Sequence, residues 1–317
     1  GTGSECNGGA VITNEEVMIK TDRDYPKCNP EFALMDPTYT YTVPTKQMVA
    51  GSFDILSHVM ETYFSEPDED NVSDDISEAL MRGVITSLRA ALVNPEDYTA
   101  RSNLMWLSTM AENRIIKLGK KCDFECHQME HQISAYTNCS HGCGLAVLHP
   151  VYYRHICQAG AKKFTRFAEN VWKIPRNGRT DEEMAEAGVE ALADFIREIG
   201  LPTTLREVGV EKKEESSDIF EVFYKDYKIS IGKNRKGNEK LLKLAKANDV
   251  WFHVKDLPSA HAILHTGRQN VSDDVLAFAA KVCVELSSSQ QGSFLVDFAK
   301  RRDVSPVEGS KVNYVNY

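Results

Sequence analysis

Residues 47–64 read QMVAGSFDILSHVMETYF. Val49, Phe53, Leu56 and Met60 recur at intervals of three and four, which predicts one apolar stripe along an amphipathic helix. The same segment carries Asp54 and His58 one turn apart, so both side chains leave the helix on one face. A carboxylate beside an imidazole suits a divalent transition metal such as Zn or Fe. Taken alone, this spacing is more often a solvated polar face.

The helical pattern continues outward from this stretch. Further helices are predicted over 74–93 with Asp74 as N-cap, 98–118, 122–137, 145–172 as one or two pieces, and 180–199 ended by Gly200 and Pro202. This gives an all-α domain over 46–210. Residues 1–45 stand apart, and 11–45 read as irregular, broken by Pro26, Pro30, Pro37 and Pro44. Residues 211–225 (EKKEESSDIFEVFYK) open as a charged run and fit a linker. Beyond them the period changes. YKISIG, DVWFHV, HAILHT and SFLVDFA read as strands, NEKLLKLAKA and VSDDVLAFAAKVCVELS as helices, which makes 226–317 a small α+β domain. The expected architecture is therefore multidomain.

Composition agrees. A chain of 317 residues, 42% hydrophobic and 26% charged, excludes whole-chain disorder, a collagen-like fibre and a small disulfide scaffold. The net charge of -9 is uneven: residues 226–317 hold 14 Lys/Arg against 10 Asp/Glu, and residues 1–225 hold 23 against 36. Eight scattered cysteines favour free thiols and a cytoplasmic location. No run of 18 apolar residues predicts a membrane span, and the opening GTGSECNGG does not read as a secretory leader. Both ends read as cut through structured regions.

His127 and His131 repeat the one-turn spacing on another predicted helix, and His141 follows in NCSHGCG. Cys122, Cys126, Cys139 and Cys143 interleave with them, which invites a cysteine-based zinc site, although buried thiols fit the spacing better. A metal hydrolase is a further reading, weakened by the lack of a second carboxylate for a two-metal site.

Four segments then carry a resemblance: TGSE at 2–5, FALMDPTYTYTVP at 32–44, AGSFDILSHVMETYF at 50–64 and CHQMEHQISAYTNCSHGCGLAVLHP at 126–150. Together they resemble the iron-containing alcohol dehydrogenases, in particular the butanol-dehydrogenase type, over residues 1 to about 210. The resemblance implies an oxidoreductase that binds Fe2+ or Zn2+ through Asp54, His58, His127 and His141, with His131 next to the substrate as a catalytic or proton-relay group. It implies NAD(H) or NADP(H) lined by Thr2, Asn7, Lys20 and Tyr39, with Lys20 near phosphates, and a small alcohol or aldehyde as substrate. It allows a homodimer. It also implies that residues 1–45 are the remnant of an α/β dinucleotide domain most of which is missing, leaving a chain of weak or no activity.

Residues 226–317 are similar to a different family, the NFACT-R domain, through YKISIGKNRKGNEKLL, AKANDVWFHVKDLPSAHAILHT and VDFAKRRDVSPVEGSKVNYVNY. That resemblance implies contact with RNA or the ribosome. Lys233, Arg235 and Lys236 cluster in one turn and Lys300, Arg301 and Arg302 form a second basic run, as phosphate contacts require. Trp251 and Phe252 read as core residues. The pairing of the two resemblances is either a natural fusion or a join of two gene fragments, and the two truncated-looking ends favour the join.

Overall fold

The computed structural model describes residues 2–16, 18–210, 218–267, 271–287, 292–306 and 315–316. The chain divides into two compact units, Gly1–Ile12 with Lys20–Glu211, and Thr13–Ile19 with Lys212–Tyr317.

The first unit is a helical assembly: α1 (Thr45–Tyr63), α2 (Val72–Val93), α3 (Tyr98–Glu112), α4 (Glu125–Thr137), α5 (His141–Ile156), α6 (Ala161–Arg166) and α7 (Asp181–Glu198). A π-helical turn, Phe167–Val171, continues α6. The stripe of α1 is buried as its spacing requires, with Val49 at 4% and Phe53, Leu56 and Met60 at 0% exposure. They share one core with Met81, Val84 and Leu88 of α2, Leu145 and Tyr153 of α5, and Leu192 and Phe195 of α7. Thr180 and Glu183 close a capping box on α7, and Gly200 takes φ +74° just past its end, a conformation that costs glycine little.

Three expectations are corrected. Residues 11–45 are not wholly irregular: β1 (Gly9–Asn14) and β2 (Ile19–Asp24) form a two-stranded sheet. The predicted 98–118 helix stops at Glu112, because Arg114 adopts φ +71° and a short 3-10 turn follows. The N-cap of α2 is Asn71, whose side chain accepts from the Asp74 amide at 2.9 Å. Asp74 lies one turn inside, fully buried, and faces two buried ammonium groups, Lys120 at 2.9 Å and Lys163. The carboxylate of a helix first turn thus neutralises lysines from two other segments.

The second unit is a five-stranded antiparallel sheet in the order β3-β4-β6-β5-β7. Its strands are β3 (Ile219–Tyr224), β4 (Tyr227–Gly232), β5 (Val250–Val254), β6 (Ala262–His265) and β7 (Val296–Lys300). The linker reading therefore fails over 219–224, which form an edge strand in register with β4, while 211–217 lie outside the described residues. Helix α9 (Asp273–Glu285) packs with Ile229, Ile231, Phe252 and Leu264. Leu241 and Leu242 of α8 (Arg235–Leu244) join Trp251, Ile263 and Val304. Neighbouring Trp251 and Phe252 fall in different clusters because strand side chains alternate between faces. A two-residue strand pair, β8 (Ser305–Pro306) with β9 (Val315–Asn316), completes the described part of the unit.

Asp249 anchors the start of β5. It accepts from the Lys246 amide at 2.9 Å and the Thr266 amide at 3.1 Å, and it faces His265 Nδ1 at 3.2 Å. His265 Nε2 meets Ser230 Oγ at 2.8 Å.

Asp74→Ala is expected to destabilise the first unit by about 3–5 kcal/mol, because it leaves the buried Lys163 ammonium without its carboxylate and Lys120 with only the Tyr63 and Pro67 carbonyls. Urea unfolding of the variant against the parent chain measures this, and a destabilisation below about 1 kcal/mol would show that the lysines find other partners.

Candidate metal centre

Three helices bring the site together. On α1, the buried stripe fixes the helix rotation and leaves Asp54 and His58 half-buried at a cleft. Helix α4 is docked on α1 by Glu61, whose carboxylate accepts from the amides of Cys126 at 2.7 Å and His127 at 3.3 Å. An acidic side chain at a helix N-terminus satisfies amides that have no intrahelical partner. Helix α5 begins at His141, and Gly142 allows it to press on α1: a Cβ there would lie 2.0 Å from the Ala50 carbonyl oxygen.

The result is a convergence on one atom. The Nε2 atoms of His58, His127 and His141 stand 3.3, 3.6 and 3.6 Å from Asp54 Oδ1. Donors bound to one Zn or Fe at about 2.0–2.2 Å in tetrahedral array lie about 3.4 Å apart, so these separations suit a shared ion. Asp54 Oδ1 and His127 Nε2 are also buried with no hydrogen-bond partner, the condition of donors shaped for a metal. Asp54, His127 and His141 offer donor atoms all within 4.8 Å of one another, a set that fits a divalent metal, and His58 Nε2 approaches the same Asp54 oxygen at 3.3 Å.

Each imidazole is turned by a carboxylate on its far side. His58 Nδ1 meets Glu112, His127 Nδ1 meets Glu61, and His141 Nδ1 meets Glu130. A ring whose Nδ1–H donates to a carboxylate presents the lone pair of Nε2. Burial opposes charge on His127, but the neighbouring Asp54 and Glu61 carboxylates outweigh it and lift its pKa to about 9. Burial, aided by His141 and Lys20, pushes His131 down to about 4, so it is neutral at physiological pH. His131 stacks on His141 at 5.6 Å between centroids, and its buried Nδ1 has no hydrogen-bond partner.

The cleft, of about 680 Å³, is lined by Thr2, Asn7, Asp54, His58, Phe124, His131 and His141 among others. Thr2 donates to Asp54 Oδ2 at 2.5 Å, so it holds that carboxylate as well as lining the cleft. Asn7 lines the cleft and donates to the Gly3 carbonyl at 3.1 Å. Lys20, expected near phosphates, donates to Ser134 Oγ at 2.8 Å and lies 3.6 Å from Glu130. Tyr39 is 82% exposed and is not among the residues lining the cleft. No cysteine belongs to a metal-capable cluster among the described residues.

In the second unit, Lys233, Arg235 and Lys236 are exposed around the start of α8, and Lys300 at the end of β7 and Arg302 beyond it are exposed. Lys236 pairs with Asp218 at 3.7 Å, Arg235 with Glu239 at 3.1 Å and Arg302 with Asp303 at 3.8 Å. Arg301 is a correction. Its guanidinium donates to the Leu242 carbonyl and, at 2.7 Å, to the Val304 carbonyl, so it caps the end of α8 rather than offering charge to a phosphate.

Sequence reasoning missed Glu61, Glu112 and Glu130. Glu61 and Glu130 each lie three residues after a metal-site histidine, a usable signal, whereas Glu112 has none.

The sequence model described as the Fe-containing alcohol dehydrogenase family, C-terminal, matches residues 48–246. The model described as the NFACT protein RNA binding domain matches residues 219–308. The overlap, 219–246, lies in the second unit and spans β3, β4 and α8. The NADH-dependent butanol dehydrogenase A of Clostridium acetobutylicum is 41% identical over 212 residues, 67% of this chain and 54% of that protein. The NADPH-dependent aldehyde reductase YqhD of Escherichia coli is 32% identical, covering 66% of this chain and 54% of its own length. The crystal structure of NADH-dependent butanol dehydrogenase A from Thermotoga maritima matches with a TM-score of 0.63 and 32% identity, over 66% of this chain and 52% of that one. The chain thus spans about half the length of the relatives it matches.

The raised pKa of His127 gives a pH signature of metal uptake. Between about pH 6.5 and 9 a metal must displace a proton, so its apparent affinity is expected to rise by up to about tenfold per pH unit. In metal-free protein the protonated ring contributes stability that is fully present below about pH 6.5 and is lost as the pH rises through about 9. Chelator competition at several pH values and melting of the metal-free chain test the two trends.

Proposed function

Since this chain belongs to the Fe-containing alcohol dehydrogenase family, we propose that its first unit carries the metal-and-substrate half of an NAD(P)-linked alcohol or aldehyde oxidoreductase. The observation that carries the reading is the meeting of three imidazole Nε2 atoms at Asp54 Oδ1. In this reading Asp54, His58, His127 and His141 hold Fe2+ or Zn2+. When bound, such an ion supplies Lewis acidity toward a substrate oxygen, and a nicotinamide exchanges the hydride. The rest falls to this chain's own residues. Around a divalent ion, three neutral imidazoles and the Asp54 carboxylate would leave the inner donor set with one net positive charge, which favours a developing alkoxide. Phe124 and the histidine rings give the cleft apolar walls for a short aliphatic chain. Neutral His131, with its unpartnered Nδ1, is placed to hold or pass the substrate proton. Thr2 and Asn7 on the cleft wall are assigned to the nicotinamide end.

Both NADH and NADPH occur in the names of the relatives, and the reading takes either nucleotide. The match spans about half of each relative, so turnover of butanal by the 317-residue chain is expected to stay far below that of a full-length relative. A comparable rate would overturn that half-enzyme assignment.

A second reading concerns the second unit, whose match to an RNA binding domain and exposed basic groups support an RNA-contacting surface. Lys233, Arg235, Lys236, Lys300 and Arg302 would supply phosphate contacts.

Purified chain is expected to hold one Fe or Zn, with Asp54→Ala and His141→Ala each abolishing stoichiometric binding by elemental analysis. His131→Gln should retain the metal and lose activity in any form of the protein that turns over. For RNA, the affinity of the full chain for a single strand should fall with salt. Neutralising Lys233, Lys236 and Lys300 should reduce the log–log slope by about 0.7 for each phosphate that is no longer neutralised. A slope unchanged by all three would remove them from the interface.

A further inference from the structure

Every donor in the centre has an outer partner, and the partners come from different parts of the fold. Thr2 of the N-terminal turn holds Asp54, Glu112 of α3 holds His58, Glu61 of α1 holds His127, and Glu130 of α4 holds His141. The outer carboxylates are themselves held. Glu61 takes two α4 amides, the Lys117 ammonium lies 3.7 Å from Glu112, and the Lys20 ammonium lies 3.6 Å from Glu130. Glu112 is the informative member, because α3 contributes no metal donor. Its stem also packs on the turn that carries Thr2: a Cβ on Gly3 would lie 2.4 Å from Glu112 Cβ, and the Gly3 amide donates to Ser108 Oγ of α3 at 2.6 Å.

We propose that Glu112, with Glu61 and Glu130, forms an outer ring of positioning residues that fixes all three imidazoles as Nε2 donors and sets how tightly the centre retains its metal. The proposal rests on the metal-site reading above. A fixed Nδ1–H···O contact removes the choice of ring tautomer and of ring rotation, so less ordering remains to be done when an ion arrives. A negative carboxylate beyond the ring also makes the imidazole a stronger donor. With a divalent ion, Asp54 and the three glutamates, the local charge is negative, and Lys20 and Lys117 bring it back to neutrality. The centre can then be buried without a large uncompensated charge.

The test uses the full chain and two substitutions at Glu112. Glu112→Gln keeps an oxygen that accepts from Nδ1–H and removes the charge, whereas Glu112→Leu removes both. Zn2+ affinity by chelator competition is expected to weaken by about threefold to tenfold in Glu112→Gln and by about 10–100-fold in Glu112→Leu. The Co2+-loaded Leu variant should show a changed visible absorption band, reporting altered donor geometry. Melting of the metal-free proteins separates this from a packing effect, since Glu112→Gln should melt with the parent. Parent protein that binds Zn2+, with both variants binding within twofold of it, overturns the outer-ring proposal alone. Parent protein that fails to bind one Zn2+ or Fe2+ overturns the metal-site reading and this inference with it.

Discussion

Asp54 Oδ1 is the point around which the first unit is organised. A buried carboxylate oxygen without a hydrogen bond is costly, and three imidazole nitrogens gathered within 3.6 Å of it would repel one another if protonated together. Such an arrangement persists only where the surrounding helices over-determine it. Helix α1 is fixed by its own buried stripe, α4 by the Glu61 carboxylate at its N-terminus, and α5 by backbone contact at Gly142. Helices α2 and α3 pack behind α1, with Met81, Val84 and Leu104 in the same core. The fold thus holds these side chains in a geometry they would not adopt alone, and in the proposed reading a divalent cation would relieve the conflict.

Much of this is legible in the sequence, for identifiable reasons. Helix α1 is legible because a 3.6-residue period survives in Val49, Phe53, Leu56 and Met60, and α7 because Thr180, Glu183 and Gly200 mark its ends. Asp54, His58, His127 and His141 are legible through the family resemblance; the one-turn spacings alone fit a solvated polar face, and His141 has no such spacing. The carboxylates behind them are not, because Glu61, Glu112 and Glu130 are ordinary helix residues whose role comes from another helix. Asp74 misleads for the same reason: an acidic residue near a helix start suits a cap, and only the tertiary structure brings Lys120 and Lys163 to it. Strand β3 is hidden by the charged run before it, since EVFY shows no clean alternation beside EKKEESS.

The basic run at 300–302 shows how a charge count can mislead. Arg301 is engaged by the Leu242 and Val304 carbonyls at the end of α8, so its removal would act through folding. Lys300 and Arg302 on either side are exposed. Three adjacent charges therefore belong to two kinds of role, and only the exposed pair can inform on a phosphate contact.

The glycine after His141 has a further consequence. At Gly142 the distance between α5 and α1 is set by backbone against backbone, with no side chain between them to compress or repack. Core substitutions elsewhere can loosen the unit and lower its melting point, yet they cannot easily alter the span from His141 to Asp54. The centre's geometry is thereby insulated from drift in the surrounding core. Sequences in which Leu145, Tyr153 or Leu192 vary could keep the same donor spacing, provided that one position keeps no side chain.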